Sequence, residues 1–269
     1  MSGPKTNTLS EQYEADGFLI HEQPLIDEDL VKRASEGMDM LRRGDYGTAR
    51  PPQPSSWEPN DDPNKLCKIE QPQFANKAIW ELVSHSNIGK VAAEITGAEM
   101  IQVWWVQLLI KPPQDGEGKV QANIGWHQDR NYWRSWEEGS ELFTAWVAVS
   151  DVTADTGPMN FLRGSNHWGY MDEQSDFYGQ DHKEQRGVIQ VPEGQEWEEA
   201  PVILPPGGVS FHHCLTFHGS GPNLSGTHRR SFALHMRTEN SKPVDDKREG
   251  LTSFIDQPDK CPVIWGSET

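Results

Sequence analysis

Apolar positions recur with two different periods along this chain, and the period changes near residue 100. Before that point the spacing is helical. Ser10 is expected to cap a short helix that stops at Gly17, with Phe18, Leu19 and Ile20 following as a strand. Asp27 suits the N-cap of a longer helix, because Leu30, Val31, Ala34, Met38 and Leu41 fall on one helical face and Arg42, Arg43 and Gly44 supply a cationic last turn and a stop. Residues 45–65 hold five prolines and read as a long loop. Ala78, Ile79, Leu82 and Val83, then Val91, Ala92 and Ile95, predict two more helices, the second ended by Gly97.

From residue 100 short β-rich segments take over: 101–110, 143–149, 159–162, 187–191, 208–217 and 230–237. Turn formers separate them, as in Lys111-Pro112-Pro113-Gln114-Asp115-Gly116 and Leu204-Pro205-Pro206-Gly207-Gly208. Helices followed by strands imply an α+β fold with a mainly β core, a sandwich or jelly roll on supporting helices. We expect a single domain over 1–269, with a helical scaffold at about 10–98 and the β core at about 100–240. Residues 171–200 carry nine acidic and two basic side chains and read as a solvated loop, with a lid over a site as the alternative.

Charge narrows the partners. Lys and Arg total 24 against 41 Asp and Glu, a formal net charge of -17, which repels phosphate backbones and anionic lipid and leaves small molecules as the expected partners. No apolar run approaches the ~20 residues of a membrane span. The start, MSGPKTNTLSEQ, lacks the basic and then apolar stretch of a secretory signal, so a cytoplasmic location is expected. Cys67, Cys214 and Cys261 are few and widely spaced, which suits reduced thiols rather than a disulfide framework. Six of the 11 tryptophans fall between Gln102 and Trp146, and we expect that segment to form β core and pocket wall.

Candidate chemistry lies in the same segment. In Gly125-Trp126-His127-Gln128-Asp129, His127 and Asp129 are two apart and would share one side of an extended strand, offering an imidazole and a carboxylate to one point. An open-site iron needs a third donor on that face. Downstream, Phe211-His212-His213-Cys214-Leu215-Thr216-Phe217-His218 offers three histidines, of which His218 sits before Gly219-Ser220-Gly221-Pro222-Asn223 at an expected open mouth. Arg229 follows and could bring a guanidinium fork beside the metal for a carboxylate. Of His212 and His213, one should point inward as packing or support for the ligands, and His167 and His235 read as structural. Trp104, Trp105, Tyr132 and Trp133 read as core, with a substrate clamp as the alternative. Gln128 and Arg130 read as either substrate contacts or solvated side chains.

An HxD pair alone is weak, but the ordered motifs are not. Gln107-Leu108-Leu109-Ile110-Lys111-Pro112-Pro113, Trp126-His127-Gln128-Asp129, Ala145-Trp146-Val147-Ala148, Asp155-Thr156-Gly157-Pro158-Met159 leading into Arg163-Gly164-Ser165-Asn166-His167, and His218-Gly219-Ser220-Gly221 with Arg229 resemble the phytanoyl-CoA dioxygenase family of Fe(II)- and 2-oxoglutarate-dependent oxygenases. The likeness runs from about Tyr13 to Arg237. It implies a double-stranded β-helix, with His127, Asp129 and His218 as iron ligands and Arg229 as the partner of the distal carboxylate of 2-oxoglutarate. Gln107, Trp146, Ser220 and Lys111 match positions at the 2-oxoglutarate pocket. Because Arg229 and Arg230 are adjacent on a strand, only one can face it. The implied reaction is hydroxylation of a small molecule with O2, coupled to decarboxylation of 2-oxoglutarate to succinate and CO2; Asp129 favours this over the halogenation catalysed by relatives that lack the carboxylate. The acidic charge disfavours an acyl-CoA substrate. The alternatives are a non-catalytic metal-binding β-barrel module and a cupin-like metal enzyme that uses no 2-oxoglutarate.

Overall fold

The computed structural model describes residues 8–114 and 122–267. Asp115 and Gly116, the end of the expected turn after Lys111, and the first seven residues lie outside them.

The N-terminal half is helical where the apolar spacing requires it. Helix α1 (Leu9–Asp16) is capped by Thr8 rather than Ser10: the Thr8 hydroxyl accepts from the Glu11 amide and the Glu11 carboxylate accepts from the Thr8 amide, a reciprocal capping box. Gly17, in the left-handed region at φ 80°, ends it, and strand β1 (Phe18–His21) follows. Asp27 caps α2 (Glu28–Arg42) as expected, its carboxylate accepting from the Leu30 amide. After the proline-rich loop come β2 (Cys67–Glu70), α3 (Lys77–Val83) and α4 (Ser86–Thr96), the last stopped by left-handed Gly97. β1 is the strand expected at Phe18 to Ile20, and β2 interrupts the expected helical scaffold.

The β half comprises β3 (Ile101–Lys111), β4 (Ile124–His127), β5 (Leu142–Ala148), β6 (Met159–Leu162), then α5 (His182–Val188), β7 (Glu199–Pro201), β8 (Val209–His213), β9 (His218–Ser220), β10 (Arg229–Thr238) and β11 (Val263–Trp265). Two antiparallel sheets form. The larger runs β1-β8-β5-β10-β3, with β2 and β11 sharing the far edge of β3; the smaller runs β4-β9-β6-β7. Residues of both sheets, among them Phe18, Leu109, Trp146, Met159 and Phe161, pack together between them. The outer face of the large sheet, including Val106, Leu108, Phe232 and Leu234, packs on α2, α3 and α4. This is a jelly roll on supporting helices.

Three expectations need correction. Residues 187–191 do not form a strand, because Asp181 caps α5 through the Lys183 and Glu184 amides and the helix runs on to Val188. Residues 208–217 form no single strand: β8 and β9 lie in different sheets, joined by a tight turn in which the Thr216 amide donates to the His213 carbonyl. The tryptophans also divide. Trp146 faces the cavity between the sheets, whereas Trp104, Trp133 and Trp136 form a cluster of their own and Trp126 packs with Trp168, Trp197 and Phe217.

The acidic stretch 171–200 is tied to β4 rather than merely solvated. The Gly125 amide donates to the Phe177 carbonyl (2.9 Å), the Asp176 amide to the Trp126 carbonyl (3.1 Å), and Gln185 bridges the Trp126 amide and the Asp176 carbonyl. A Cβ at position 125 would lie 2.1 Å from the Asp176 carbonyl oxygen. Gly125→Ala is therefore expected to lift residues 176–179 off β4 at a cost of roughly 1–3 kcal/mol, seen as faster amide exchange there than in the wild type.

Candidate metal centre

Sheet pairing brings the proposed ligands together. His127 and His218 are directly opposite on β4 and β9, with ring centroids 4.1 Å apart. Strand β4 ends at His127, but Gln128 keeps an extended backbone (φ -104°, ψ 131°), so Asp129 still points to the same side although it opens a 3-10 turn. The Asp129 Oδ1 lies 3.7 Å from the Nε2 of both histidines, and one ligand atom from each residue falls within 4.8 Å of the others. All three side chains are buried.

Each imidazole is held in the tautomer a metal requires. His127 Nδ1 lies 2.8 Å from the Gly125 carbonyl and His218 Nδ1 2.9 Å from the Thr216 carbonyl, so Nδ1 carries the proton in each case and Nε2 presents its lone pair. Burial and the neighbouring His127 hold the His218 pKa well below its usual value, keeping it neutral. Burial alone would raise the Asp129 pKa, but the imidazoles of His218, His127 and His212 outweigh it and hold the carboxyl well below the ordinary range. Two imidazoles and one carboxylate, converging from one side, suit Fe(II) with open positions.

The second carboxylate oxygen is occupied from behind. Three inward residues form a row across β10, β5 and β8, in the register His235↔Thr144↔His212. The Thr144 hydroxyl donates to Asp129 Oδ2 (2.8 Å), His212 Nε2 lies 3.2 Å from the same oxygen, and His235 Nδ1 lies 2.9 Å from the Thr144 hydroxyl. His212 is thus the inward member of its pair, as expected. His235 is more than a packing residue, since it supports Thr144 and lines the cavity, while Trp104 and Trp133 pack on its ring. Thr144→Val should lower metal affinity by roughly 10–100-fold, with Thr144→Ser close to wild type, as measured by calorimetric titration with Fe(II) under argon.

At the other end of the cavity two cations stand side by side. Arg229 and Lys111 are cross-strand partners on β10 and β3, both fully buried, and no carboxylate pairs with either among the described residues. Arg230 faces the opposite way and pairs with Asp39 (2.9 Å), so Arg229 alone of the doublet lines the cavity. Ser220 bridges the cations: its hydroxyl accepts from Lys111 Nζ (2.6 Å) and Arg229 Nη1 (3.0 Å) and donates to the Gly157 carbonyl (2.9 Å), to which Arg229 Nη1 also donates. Lys111 spends its remaining donors on the Ser220 and Gly221 carbonyls, so it stands behind Ser220 and reaches the cavity through its charge. Arg229 Nε is buried with no partner, and its guanidinium lies 5.3 Å over the Trp146 ring. Burial pushes the Arg229 pKa down to about 10, and burial together with Arg229 pushes Lys111 well below its usual value. Like charges directly opposite on neighbouring strands repel. Two buried cations and a guanidinium N–H without a partner leave positive charge and a free donor at this end of the cavity.

Gln107 and Trp146 complete the row across β3, β10 and β5 on either side of Ala233, and both line the cavity. Gln128 does not reach it. Its amide donates to the Gly169 and Leu215 carbonyls, and Arg130 donates to those of Trp133 and Trp136, so both serve the backbone. Thr144 and Phe177 escape a reading of the sequence, because nothing marks a lone threonine in a buried strand or one aromatic residue in an acidic stretch. The Phe177 ring nevertheless lies 5.1 Å from that of His127.

Among the described residues no helix is long and apolar enough to cross a membrane. Known proteins resemble this chain in sequence and in fold. A probable alpha-ketoglutarate-dependent hypophosphite dioxygenase of Stutzerimonas stutzeri is 27% identical over 223 residues, covering 80% of this chain and 72% of the relative. An ectoine dioxygenase of Bordetella parapertussis is 26% identical over 243 residues, covering 86% and 75%. Among solved structures, the non-heme alpha ketoglutarate dependent carbocyclase SnoK from nogalamycin biosynthesis superposes with a TM-score of 0.66 at 20% identity, covering 90% of this chain and 89% of that one. EvdO2 of Micromonospora carbonacea, complexed with 2-oxoglutarate, gives 0.61 at 20%, covering 93% and 97%. At that identity the likeness concerns the jelly roll. The sequence profile of the phytanoyl-CoA dioxygenase family matches residues 13–231, from α1 to the first three residues of β10, and so takes in His127, Asp129, His218 and Arg229. With the profile spanning most of the sequence, the chain belongs to the phytanoyl-CoA dioxygenase family.

Proposed function

We propose that the protein is an Fe(II)- and 2-oxoglutarate-dependent dioxygenase that hydroxylates a small molecule. The observation that carries this reading is the pairing, in one cavity, of a His-Asp-His face with a buried cationic end that lacks any carboxylate among the described residues. His127, Asp129 and His218 would hold Fe(II), and Arg229 would take the distal carboxylate of 2-oxoglutarate in a fork of two N–H donors. When bound, Fe(II) and 2-oxoglutarate supply the oxidising power of O2, with succinate and CO2 as coproducts.

The chain's own residues supply position and exclusion. Thr144 and His212 hold Asp129 Oδ2, which leaves Oδ1 to the metal and keeps the carboxylate on one position. Ser220 has its donor and both acceptor sites engaged by Gly157, Lys111 and Arg229, so it fixes the direction of the guanidinium. Lys111 adds charge for the cosubstrate from behind. Trp146 and Leu109 wall the cavity and keep water from the dianion, which strengthens its attraction to the cations. Phe177 covers the triad on the side of the 171–200 segment.

A cupin-like enzyme without 2-oxoglutarate would have no use for Arg229 and Lys111, and a non-catalytic module would have no use for open metal positions. Oxygen uptake by the Fe(II)-loaded protein separates the three. Uptake that requires 2-oxoglutarate and releases succinate supports the proposal; uptake independent of 2-oxoglutarate supports the cupin-like reading; no uptake and no succinate across substrates supports the module. An acyl-CoA substrate is disfavoured by the net charge of -17, and efficient turnover of acyl-CoA esters alone would contradict that part of the reading.

A further inference from the structure

A second charged group faces the inside of the large sheet, away from Arg229. Strand β2 adds to the edge of β3 in the register Lys68↔Leu109 and Glu70↔Gln107. Cross-strand partners share a face, and Gln107 and Leu109 line the metal cavity, so Lys68 and Glu70 point to its side of the sheet. Their side chains are only 16% and 17% exposed. Lys68 Nζ lies 3.2 Å from Glu70 Oε1 and 4.7 Å over the Phe177 ring, the ring that lies 5.1 Å from His127. Glu70 is held by the Trp105 indole N–H (2.6 Å to Oε2) and by the Gln107 amide (3.3 Å to Oε1).

Lys68 also lines a surface groove. A groove lined by Lys65, Lys68, Asn123, Phe177 and Gln180 runs in from the surface, and Phe177 lines both the groove and the metal cavity.

The two charged ends differ in net charge, and that difference is informative. Arg229 and Lys111 carry two positive charges with no acid, which suits a dianion. Lys68 and Glu70 sum to zero. An ammonium has three donors, of which Glu70 engages one, and a carboxylate has about four acceptor sites, of which Trp105, Gln107 and Lys68 use three. A ligand with one charge would leave a net charge at this half-buried site, at a desolvation cost, whereas a ligand with both signs adds none.

We propose that Lys68 and Glu70 recognise the primary substrate, and that this substrate is a small zwitterion whose carboxylate meets Lys68 and whose ammonium meets Glu70. The proposal rests on the function proposed above, and it adds the substrate's charge pattern. Gln107 and Trp105 position Glu70, and the Phe177 ring supports the Lys68 ammonium from below.

The test uses the full chain with Fe(II) and 2-oxoglutarate, and the common L-amino acids as probes, each beside its amide, which lacks the carboxylate, and its N-acetyl form, which lacks the ammonium. Succinate release should be stimulated by a zwitterionic probe and at least tenfold less by its two derivatives. Lys68→Met and Glu70→Gln should each raise the KM for that probe at least tenfold, and the exchanged pair Lys68→Glu/Glu70→Lys should recover part of the loss. The anaerobic charge-transfer band of the Fe(II) and 2-oxoglutarate complex should persist in every variant, which reports folding and cosubstrate binding separately from substrate recognition. A wild-type band with no zwitterion stimulating turnover would overturn the proposal, as would stimulation that survives in the amide or N-acetyl form or an unchanged KM in both single variants. Absence of the band in the wild type would instead contradict the cosubstrate reading, and this proposal with it.

Discussion

Arg229→Met is expected to bind 2-oxoglutarate about 30-fold to several thousand-fold more weakly than the wild type in an anaerobic calorimetric titration of the metal-loaded protein. The range corresponds to the ~2–5 kcal/mol lost when one partner of a buried, hydrogen-bonded charge pair is truncated. Arg229→Lys should recover only part, because a single ammonium cannot reproduce the fork of the guanidinium that sits 5.3 Å over the Trp146 ring. Metal affinity should stay within a few-fold of wild type in both variants, since Arg229 approaches no triad residue in the hydrogen-bond network.

The same cationic end sets a pH dependence. Lys111 is held below its usual pKa by burial and by Arg229, so between that lowered value and the ordinary ~10.4 the unfolded chain binds a proton that the folded chain does not. Lys111 therefore contributes a rise of stability with pH in the ligand-free protein, while the buried thiols of Cys67, Cys214 and Cys261, pushed up to about 12, contribute a fall above ~8.5. Saturating 2-oxoglutarate favours the charged form and should flatten the slope. Thermal midpoints between about pH 7 and 8, below the range where the unfolded thiols ionise, compared with and without 2-oxoglutarate, measure the Lys111 contribution; a ligand-free slope no steeper than the slope with 2-oxoglutarate would contradict the placement of Lys111 beside Arg229.

Asp129→Ala is expected to carry the largest effect on the metal. It removes the only anionic donor of the triad, so Fe(II) affinity should fall roughly 100-fold or more, beyond the ~10–100-fold that loss of a supporting partner costs. Thr144 and His212, which now hold Asp129 Oδ2, would lose their acceptor, so the row behind the site loosens as well. Comparison with Thr144→Val separates the two contributions: if Thr144→Val weakened the metal as much as Asp129→Ala, the carboxylate would not be a direct ligand.

The residues most legible in the sequence are those whose chemistry is carried by local spacing. His127 and Asp129 stand two apart on extended backbone, which predicts a shared side even though the strand ends between them. His218 and Arg229 follow from motif order, and alternation along β10 turns Arg229 to the cavity and Arg230 to the opposite face, where it pairs with Asp39. What the sequence hides depends on register between distant strands. His235, Thr144 and His212 become one row only when β10, β5 and β8 align, and Lys68 and Glu70 meet Leu109 and Gln107 only when β2 joins β3. Strand β2 itself is hard to see, since its four residues, Cys67-Lys68-Ile69-Glu70, carry charges on the face that turns inward. Residues 187–191 mislead for the opposite reason: a short apolar alternation resembles a strand, while the Asp181 cap upstream commits the backbone to a helix. The Ser10 cap fails by two residues because Thr8, with Glu11 three positions on, makes the full reciprocal box.

Absorption spectroscopy under anaerobic conditions tests the central claim most directly. Adding Fe(II) and then 2-oxoglutarate to the wild-type protein should produce a visible charge-transfer band that requires both additions, is lost in Asp129→Ala, and needs a much higher 2-oxoglutarate concentration in Arg229→Met. A wild-type protein without the band, or a band unchanged in both variants, would contradict the assignment of this cavity to iron and 2-oxoglutarate.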